Sequence, residues 1–270
     1  MRDLPALLTG AKLHLGLSRT GLTLFHLPSL WRREAVRLFE APLPGGEVPD
    51  LAAALAPALA GGRYAGLPLA VTLGDDWVRL FMVPPPANAA SPRDIAAAAA
   101  MRLHTLYGEA SAGWRLDCAA SADRPFLACA LPGALFASIE AAARAHRLKL
   151  VSVVPLFAAS WNQMRHRLGR AWLGVVQGNT VTLGCADGAV PELAAVHRLT
   201  LRDGTELRDQ LRSVALRYGL ADPPALRLFG SGAGRNPVPA APGLDISWID
   251  APPRGARGRR LFIPVLGVRQ

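Results

Sequence analysis

The chain has 270 residues, 51% of them apolar, and can therefore bury a sizeable core in one large or two small domains. Its apolar runs fall well short of the roughly 20 residues that a membrane-spanning helix needs, and the N-terminus lacks a signal-peptide core, so we expect a cytosolic protein. The formal net charge is +10, but the 28 arginines and two lysines are scattered without interleaved aromatic residues, which argues against nucleic-acid binding.

The first half of the sequence predicts a β-hairpin, a third strand, a short helix and two more strands, at residues 12–18, 20–27, 34–41, 50–60, 67–74 and 77–83. A proline-rich connection follows. Ser91 is a typical N-cap residue and Pro92 suits the first helical position, so a helix begins there and ends near Tyr107.

The middle of the sequence, residues 113–188, predicts the junction between two α/β halves. Two short strands lead into a helix opened by Pro132, which carries one apolar stripe made of Leu135, Phe136, Ile139, Ala142 and Ala143. The β-branched segment 148–154 predicts a buried strand. A second helix then runs from Pro155 to Gly169, with Leu156, Phe157, Ser160, Trp161, Met164 and Leu168 on one side.

The second half repeats the opening of the first. A hairpin over 171–186, with Gly178 and Asn179 near its tip, precedes a third strand at 194–201. The next helix carries a stripe of Leu207, Leu211, Val214, Ala215 and Tyr218. Strands at 225–230 and 244–250 and an apolar segment at 261–268 close the chain. The same order of hairpin, third strand and helix in both halves indicates a duplication.

The cysteines and histidines predict no metal site. Cys118, Cys129 and Cys185 lie in apolar segments and are expected to be buried, inert thiols, although Cys118 and Cys129 could face each other across their hairpin. The six histidines show no metal-binding spacing, and no serine lies in a G-x-S-x-G motif, so no catalytic residue is predicted.

Three further features allow two interpretations each. The adjacent carboxylates of Asp75 and Asp76 form either an acid/base pair or a simple turn, and we favour the turn because neighbouring strand residues point apart. Trp31 either anchors a partner peptide or covers a sheet edge. The arginine cluster at 254–260 is interpreted as a solvated loop rather than a contact with nucleic acid or an anionic membrane surface.

A duplicated unit of three strands and a helix is the layout of the actin, heat-shock chaperone and sugar kinase superfamily. Within it, the chain resembles the pilus assembly protein PilM and the cytoplasmic domain of the secretion protein GspL, through "PLAVTLGDDWVRLFMVPPP", "AWLGVVQGNTVTLGCADG" and "LRLFGSGAG". The resemblance implies an α/β, actin-like (RNase H-like) duplicated fold. Its two subdomains, at 1–154 and 155–270, would each hold a mixed β-sheet flanked by helices.

The resemblance also locates the candidate cofactor site. ATP-binding members carry Asp-x-Gly in the first hairpin and an acidic residue in the second, whereas this chain has His14-Leu15-Gly16 and, in the second hairpin, Gln177. Because Mg²⁺ prefers carboxylate and phosphate oxygens, we expect no enzyme activity, no metal and no cofactor.

A nucleotide, if one binds, would contact five residues by this resemblance: Gly16, Ser18, Gly230, Gly232 and Gly234. The three later glycines follow a strand, where glycine lets backbone approach a nucleotide. They are equally typical of a turn at a strand end, and that interpretation is favoured because a proline-rich loop follows them.

The function implied is a non-catalytic scaffold of a type IV pilus or type II secretion-like assembly platform. It would bind the cytoplasmic tail of a PilN-like inner-membrane protein, contact other platform proteins, and lie in the cytoplasm at the periphery of the inner membrane. Since the chain stops at Gln270 without a span, recruitment would depend on that partner. The alternative is a nucleotide-binding member with weak ATPase or phosphotransferase activity.

Overall fold

The computed structural model describes residues 10–28, 35–86, 91–108, 113–119, 121, 123–187, 192–200, 204–230 and 243–249. The strands are β1 Lys12–Leu17, β2 Gly21–Leu27, β3 Val36–Pro42, β4 Pro68–Leu73, β5 Arg79–Val83, β6 Trp114–Cys118, β7 Phe126–Pro132, β8 Lys149–Pro155, β9 Trp172–Gln177, β10 Thr180–Asp187, β11 Glu192–Thr200, β12 Ala225–Phe229 and β13 Asp245–Trp248. The helices are α1 Leu51–Leu59, α2 Pro92–Tyr107, α3 Gly133–Ala145, α4 Leu156–Leu168 and α5 Gly204–Tyr218.

Two five-stranded mixed sheets share one topology. The first has the strand order β3-β2-β1-β4-β8 and the second β11-β10-β9-β12-β13. In each sheet the first three strands in sequence are antiparallel, and the two later strands join them in parallel. The predicted duplicated α/β fold with two mixed sheets flanked by helices is therefore confirmed. The division between residues 154 and 155 stays a prediction.

Apolar stripes on the helices build the cores. The first sheet packs against α1, which buries Leu51, Leu55 and Leu59 at helical spacing, and against the predicted stripe of α3. The second sheet packs against α5 on one face. The predicted α5 stripe is right for four residues but wrong for Tyr218, which is the last residue of the helix and is 40% exposed.

Helix α4 connects the two halves. It begins directly after β8 of the first sheet and packs on the face of the second sheet opposite α5. Phe157, Trp161 and Met164 are buried there, as the sequence stripe predicts. The helix ends at Gly169, whose φ of 57° is in the left-handed region that favours glycine.

A third sheet, with the order β5-β7-β6, lies between β4 and α3 in sequence. Helix α2 covers it through Ile95, Ala99 and Leu103. The predicted start of α2 is confirmed, since Ser91 and Asp94 form a capping box. The sequence predicts these strands but not their separation into a third-sheet unit, which we define as β5, α2, β6 and β7.

One sequence expectation is wrong, and one alternative that the sequence leaves open is excluded. Strand β8 is not buried, because it forms the edge of the first sheet and leaves Val151 45% exposed. Cys118 does not face Cys129, because the register of β6 and β7 places it opposite Ala128. All three thiols are free; Cys129 and Cys185 are buried, as expected, and Cys118 is half-buried.

Several predictions fall on residues outside the described part of the chain: Trp31, Gly232, Gly234, the cluster at 254–260 and the segment at 261–268. In the part that the structure describes, none of the helices combines the length and the apolar character needed to cross a membrane.

Candidate functional site

A cleft of about 520 Å³ opens beside the first hairpin and reaches the end of the second. Gly16, Ser18 and Thr20 line it from the first hairpin, and Gln177 from the last position of β9. The other described residues of its lining are apolar, small or hydroxylated, apart from Glu40, which is the one charged side chain among them. The cleft therefore offers hydroxyl and amide groups rather than cations.

The turn of the first hairpin uses the Ser18 side chain internally. The Ser18 hydroxyl donates to the Gly21 carbonyl oxygen at 3.1 Å and accepts from the Gly21 N–H at 3.1 Å and the Thr20 N–H at 3.3 Å. Such local bonds are how serine stabilises turns. The hydroxyl that faces the cleft is thus already engaged in holding the hairpin.

The turn between β4 and β5 is fastened to the first hairpin. The Gly74 N–H donates to the Leu17 carbonyl at 2.6 Å. The Arg19 N–H donates to the Asp76 carboxylate at 2.8 Å, and its Nε donates to the Asp76 carbonyl at 2.9 Å. The Arg19 guanidinium also lies 4.4 Å from the ring centre of the buried Trp77.

Asp75 joins this turn to the second half. Its backbone N–H donates to Gln177 Oε1 at 2.7 Å, its carboxylate accepts from the Phe157 N–H at 3.0 Å, and its carbonyl accepts from Arg198 Nη1 at 3.2 Å. These bonds reach β9, the start of α4 and β11. We call this set of four residues the Asp75 clasp; it ties the two halves together where the cleft ends.

Asp75 is only 3% exposed. Burial raises the pKa of Asp75 to about 6, and the neighbouring Asp76 adds to the rise. Hydrogen bonds from the Phe157 N–H and the Thr182 hydroxyl, and the positive charge of Arg198, act in the opposite direction. Oδ2 has no strong hydrogen-bond partner in the described structure, so desolvation outweighs these contacts.

No protein-family model and no curated protein matches the sequence. The chain matches the PilM–PilN type IV pilus biogenesis complex with a TM-score of 0.62 at 16% identity, over 88% of each chain. It matches a Bacteroides thetaiotaomicron protein with an actin-like ATPase fold and unknown function, with a TM-score of 0.56 at 10% identity, over 87% of each chain. This chain has an actin-like ATPase fold.

A third solved structure agrees with this fold. The cytoplasmic domain of EpsL, an inner-membrane component of the Vibrio cholerae type II secretion system, matches with a TM-score of 0.51 at 8% identity, over 89% of each chain. The resemblance to PilM and to the GspL cytoplasmic domain is thereby confirmed at the level of the actin-like fold, since identities this low establish the fold alone.

The actin-like fold brings some of the predicted cofactor residues together. Gly16 and Ser18 both line the cleft. Gly230 does not line it; it follows β12 and packs on the Val176 backbone of β9. Gly232 and Gly234 lie outside the described residues. Nucleotide contact by these five residues stays a prediction.

The geometry at Gly230 supports a packing role that can be tested. A Cβ atom there would lie 2.8 Å from the Val176 carbonyl oxygen, whereas one at Gly16 would meet only the Thr23 carbonyl at 3.8 Å. We expect Gly230→Ala to lower the free energy of unfolding by about 1–3 kcal/mol in urea denaturation without ligand, and Gly16→Ala to leave it within about 0.5 kcal/mol. Equal stability of both variants would contradict the packing role.

Sequence reasoning did not find the role of Asp75. Gly74 and Trp77 do close a turn, through a 3.1 Å hydrogen bond, as the preferred interpretation expects. The burial of Asp75 and its bonds to Gln177 and Arg198 depend on segments 102 and 123 residues away. The one available signal is a carboxylate placed directly after an apolar strand, which does not separate a turn from a buried site.

Proposed function

We propose that this protein is a non-catalytic actin-like scaffold of a pilus or secretion assembly platform. It binds the cytoplasmic tail of an inner-membrane partner of the PilN kind, as an extended peptide, and is held at the inner membrane through that partner. Other platform proteins assemble on it. The proposal includes a cytoplasmic location at the membrane periphery.

The observation that carries the non-catalytic part is the chemistry of the cleft. A triphosphate with Mg²⁺ needs carboxylates for the metal and cationic groups for the phosphates. The described lining offers neither at the hairpins, and the Gln177 amide is engaged with the Asp75 N–H at 2.7 Å. The Glu40 carboxylate is paired with Arg37 at 2.6 Å. The cleft is therefore better suited to joining two halves than to phosphoryl transfer.

The platform role is supported by the structural neighbours. One is a complex of PilM with PilN from type IV pilus biogenesis, and another is a cytoplasmic domain of an inner-membrane component of a type II secretion system. Both share the fold with this chain over nearly 90% of their length. The fold therefore occurs both in a type IV pilus biogenesis complex and in a type II secretion system, with which the proposed role agrees.

The proposal predicts no response to nucleotide and a clear response to a tail peptide. The melting temperature is expected to stay unchanged with millimolar Mg-ATP, whereas a nucleotide at about 100 times its Kd would add about 2.7 kcal/mol, or about 5–10 °C. Labelled peptides of the cytoplasmic tails of bitopic inner-membrane proteins from the same organism are then titrated. One tail, and not its scrambled version, is expected to bind saturably and to raise the melting temperature.

A matched variant separates the two functions. Gln177→Glu returns a carboxylate to the second hairpin while keeping an oxygen that can accept the Asp75 N–H. If Mg-ATP stabilises Gln177→Glu but not the wild type, the absence of a carboxylate at position 177 is the reason that the wild type does not respond to the nucleotide. Mg-dependent stabilisation of the wild type, with ATP hydrolysis lost in Ser18→Ala, would replace the scaffold by the nucleotide-binding alternative. Failure of every tail to bind would contradict the partner assignment.

A further inference from the structure

The turn that carries Asp75 lies between two cavities. Gly74 lines the cleft together with Gln177. Asp75 itself lines a second cavity of about 80 Å³, together with Thr182 and Arg198, between the third-sheet unit and the second sheet. A polar cavity of this size has room for more than one water molecule. A small displacement of the turn is therefore enough to bring the Asp75 carboxyl group into contact with water.

Asp75 supplies the hydrogen-bond acceptor that the start of α4 otherwise lacks. The residue before the helix is Pro155, whose side chain makes no capping hydrogen bond. The Asp75 carboxyl group accepts from the Phe157 N–H at 3.0 Å, which is one of the amide groups that a helix leaves without a partner in its first turn. Because α4 packs on the second sheet, this bond links the turn after β4 to the second half.

The Asp75 carboxyl group has no counterion. The nearby Arg198 donates its 3.2 Å hydrogen bond to the backbone carbonyl of Asp75, and no ion pair joins the two side chains in the described structure. Oδ2 has no strong hydrogen-bond partner. A buried carboxylate with one unsatisfied oxygen is poorly solvated, whereas a neutral carboxyl group is much less penalised. The closed clasp is therefore suited to the neutral form.

The other titratable or charged side chains around Asp75 come from its own turn, β5, β7, α2 and β11: Asp76, Arg79, Cys129, Tyr107, His197 and Arg198. From α4 and β10 it is faced by the uncharged Phe157 N–H and Thr182 hydroxyl. Burial raises the pKa of Cys129 and of Tyr107, so both stay neutral between pH 5 and pH 7. Burial lowers the pKa of His197, so this ring gains its charge only towards the acidic end.

We propose that the Asp75 clasp is a proton-dependent connection between the two halves, closed while the Asp75 carboxyl group is neutral and open more often when the group is ionised. In the open state the turn moves, the carboxylate gains water and its bond to the Phe157 N–H breaks. Because Gln177 belongs both to the clasp and to the cleft lining, opening also changes the end of the cleft. This inference does not depend on the proposed scaffold function.

The direction of the pH effect follows from proton binding. Burial raises the pKa of Asp75 from 3.8 to about 6 in the closed state, whereas a solvated carboxyl group in the open state has its ordinary pKa. Between these values the closed state holds a proton that the open state has released. The opening equilibrium constant is therefore lowest in acid and is expected to rise about tenfold from pH 5 to pH 7.

Hydrogen exchange of the full chain provides the test. Exchange is followed by mass spectrometry at pH 5, 6 and 7 in peptides that cover residues 74–78 and 156–161, and the rates are corrected for the intrinsic pH dependence of amide exchange. The protection of these peptides is expected to fall about tenfold from pH 5 to pH 7. In Asp75→Asn it is expected to change less than twofold, because asparagine can accept from the Phe157 N–H but does not ionise.

Two variants serve as controls. Asp245→Asn makes the same chemical change at a carboxylate in β13 that is 63% exposed, and is expected to keep the tenfold response of the wild type. His197→Gln removes the other group of the cavity that changes charge near this range, and is also expected to keep the response. Thermal melts verify that each variant is folded.

Three results would overturn the proposal. The first is an equal pH response in the wild type and in Asp75→Asn. The second is loss of the response in His197→Gln, which would assign it to the histidine. The third is exchange of the clasp peptides at the same rate, and with the same acceleration by urea, as peptides from β1 and β4, because opening would then require global unfolding. The last two comparisons decide the question even if Asp75→Asn does not fold.

Discussion

Replacing Gly184 with valine is expected to lower the free energy of unfolding by about 3 kcal/mol. Gly184 is a buried residue of β10 on the face of the second sheet that α4 covers. A Cβ atom there would lie 2.8 Å from ring atoms of both Phe157 and Trp161. The two rings are buried and stacked, with centres 6.2 Å apart, so neither can move aside without opening a gap elsewhere. Urea denaturation followed by tryptophan fluorescence measures the loss.

A double-mutant cycle tests whether this contact is the cause. Trp161→Leu alone is expected to cost about 2–4 kcal/mol because it leaves a cavity. In combination with Gly184→Val, the total loss should fall short of the sum by at least about 1 kcal/mol, since the valine fills part of that cavity. Gly45→Val is the control, because no atom lies within 4 Å of a Cβ at that position. Strictly additive losses would show that Gly184 is constrained by something other than the rings.

The expected size of this effect follows from the place of α4 in the fold. The apolar cluster around α4 draws Leu127 from the third sheet, Val154 from the first and Leu173 from the second. No other helix of the described chain has a cluster that reaches all three sheets. The packing of α4 against the second sheet therefore requires a small residue at position 184. We expect Gly184→Val to destabilise both halves of the protein together.

Features of this fold with local causes could be predicted from the sequence. The start of α2 depends on Ser91 and Pro92, which act within one turn of each other. The buried stripe of α3 follows from residues spaced by three and four positions. The duplicated order of hairpin, strand and helix was visible because each element carries its own periodicity. The likeness of the two sheets follows from that order.

Features that depend on distant segments could not be predicted. The apolar sequence of β8 predicts a buried strand, but it does not indicate that β4 is the one neighbour of β8 among the described strands, which makes β8 an edge strand. Asp75 contacts Phe157 and Gln177, which lie 82 and 102 residues further along the chain. Nothing near Asp75 in the sequence distinguishes a solvated turn from a carboxylate enclosed by the other half. The clasp therefore required the three-dimensional structure.

Replacing Asp75 with asparagine is expected to remove a pH dependence of about 3 kcal/mol from the unfolding equilibrium. Burial raises the pKa of Asp75 from 3.8 to about 6. Between these values the folded protein holds a proton at Asp75 that the unfolded chain has released, so the free energy of unfolding falls as the pH rises through this interval. Above about pH 6 the folded wild type holds a buried, charged carboxylate at Asp75, whereas the asparagine of the variant is uncharged.

The asparagine variant preserves the geometry, because its Oδ1 can accept from the Phe157 N–H and its amide replaces the oxygen that has no strong partner. Urea denaturation from about pH 4.5 to pH 8 is expected to show the stability advantage of the variant growing by about 2 kcal/mol, because about 1 kcal/mol of the total of about 3 kcal/mol is already lost at pH 4.5. Asp245→Asn is expected to change the pH dependence of stability in the opposite direction. A hydrogen bond from Arg227 lowers the pKa of Asp245, so the stabilisation by the Asp245 carboxylate is lost only as the pH falls below about 4. A constant difference between wild type and Asp75→Asn across the range would mean that Asp75 ionises as it does in the unfolded chain, and that burial in the clasp does not control its charge.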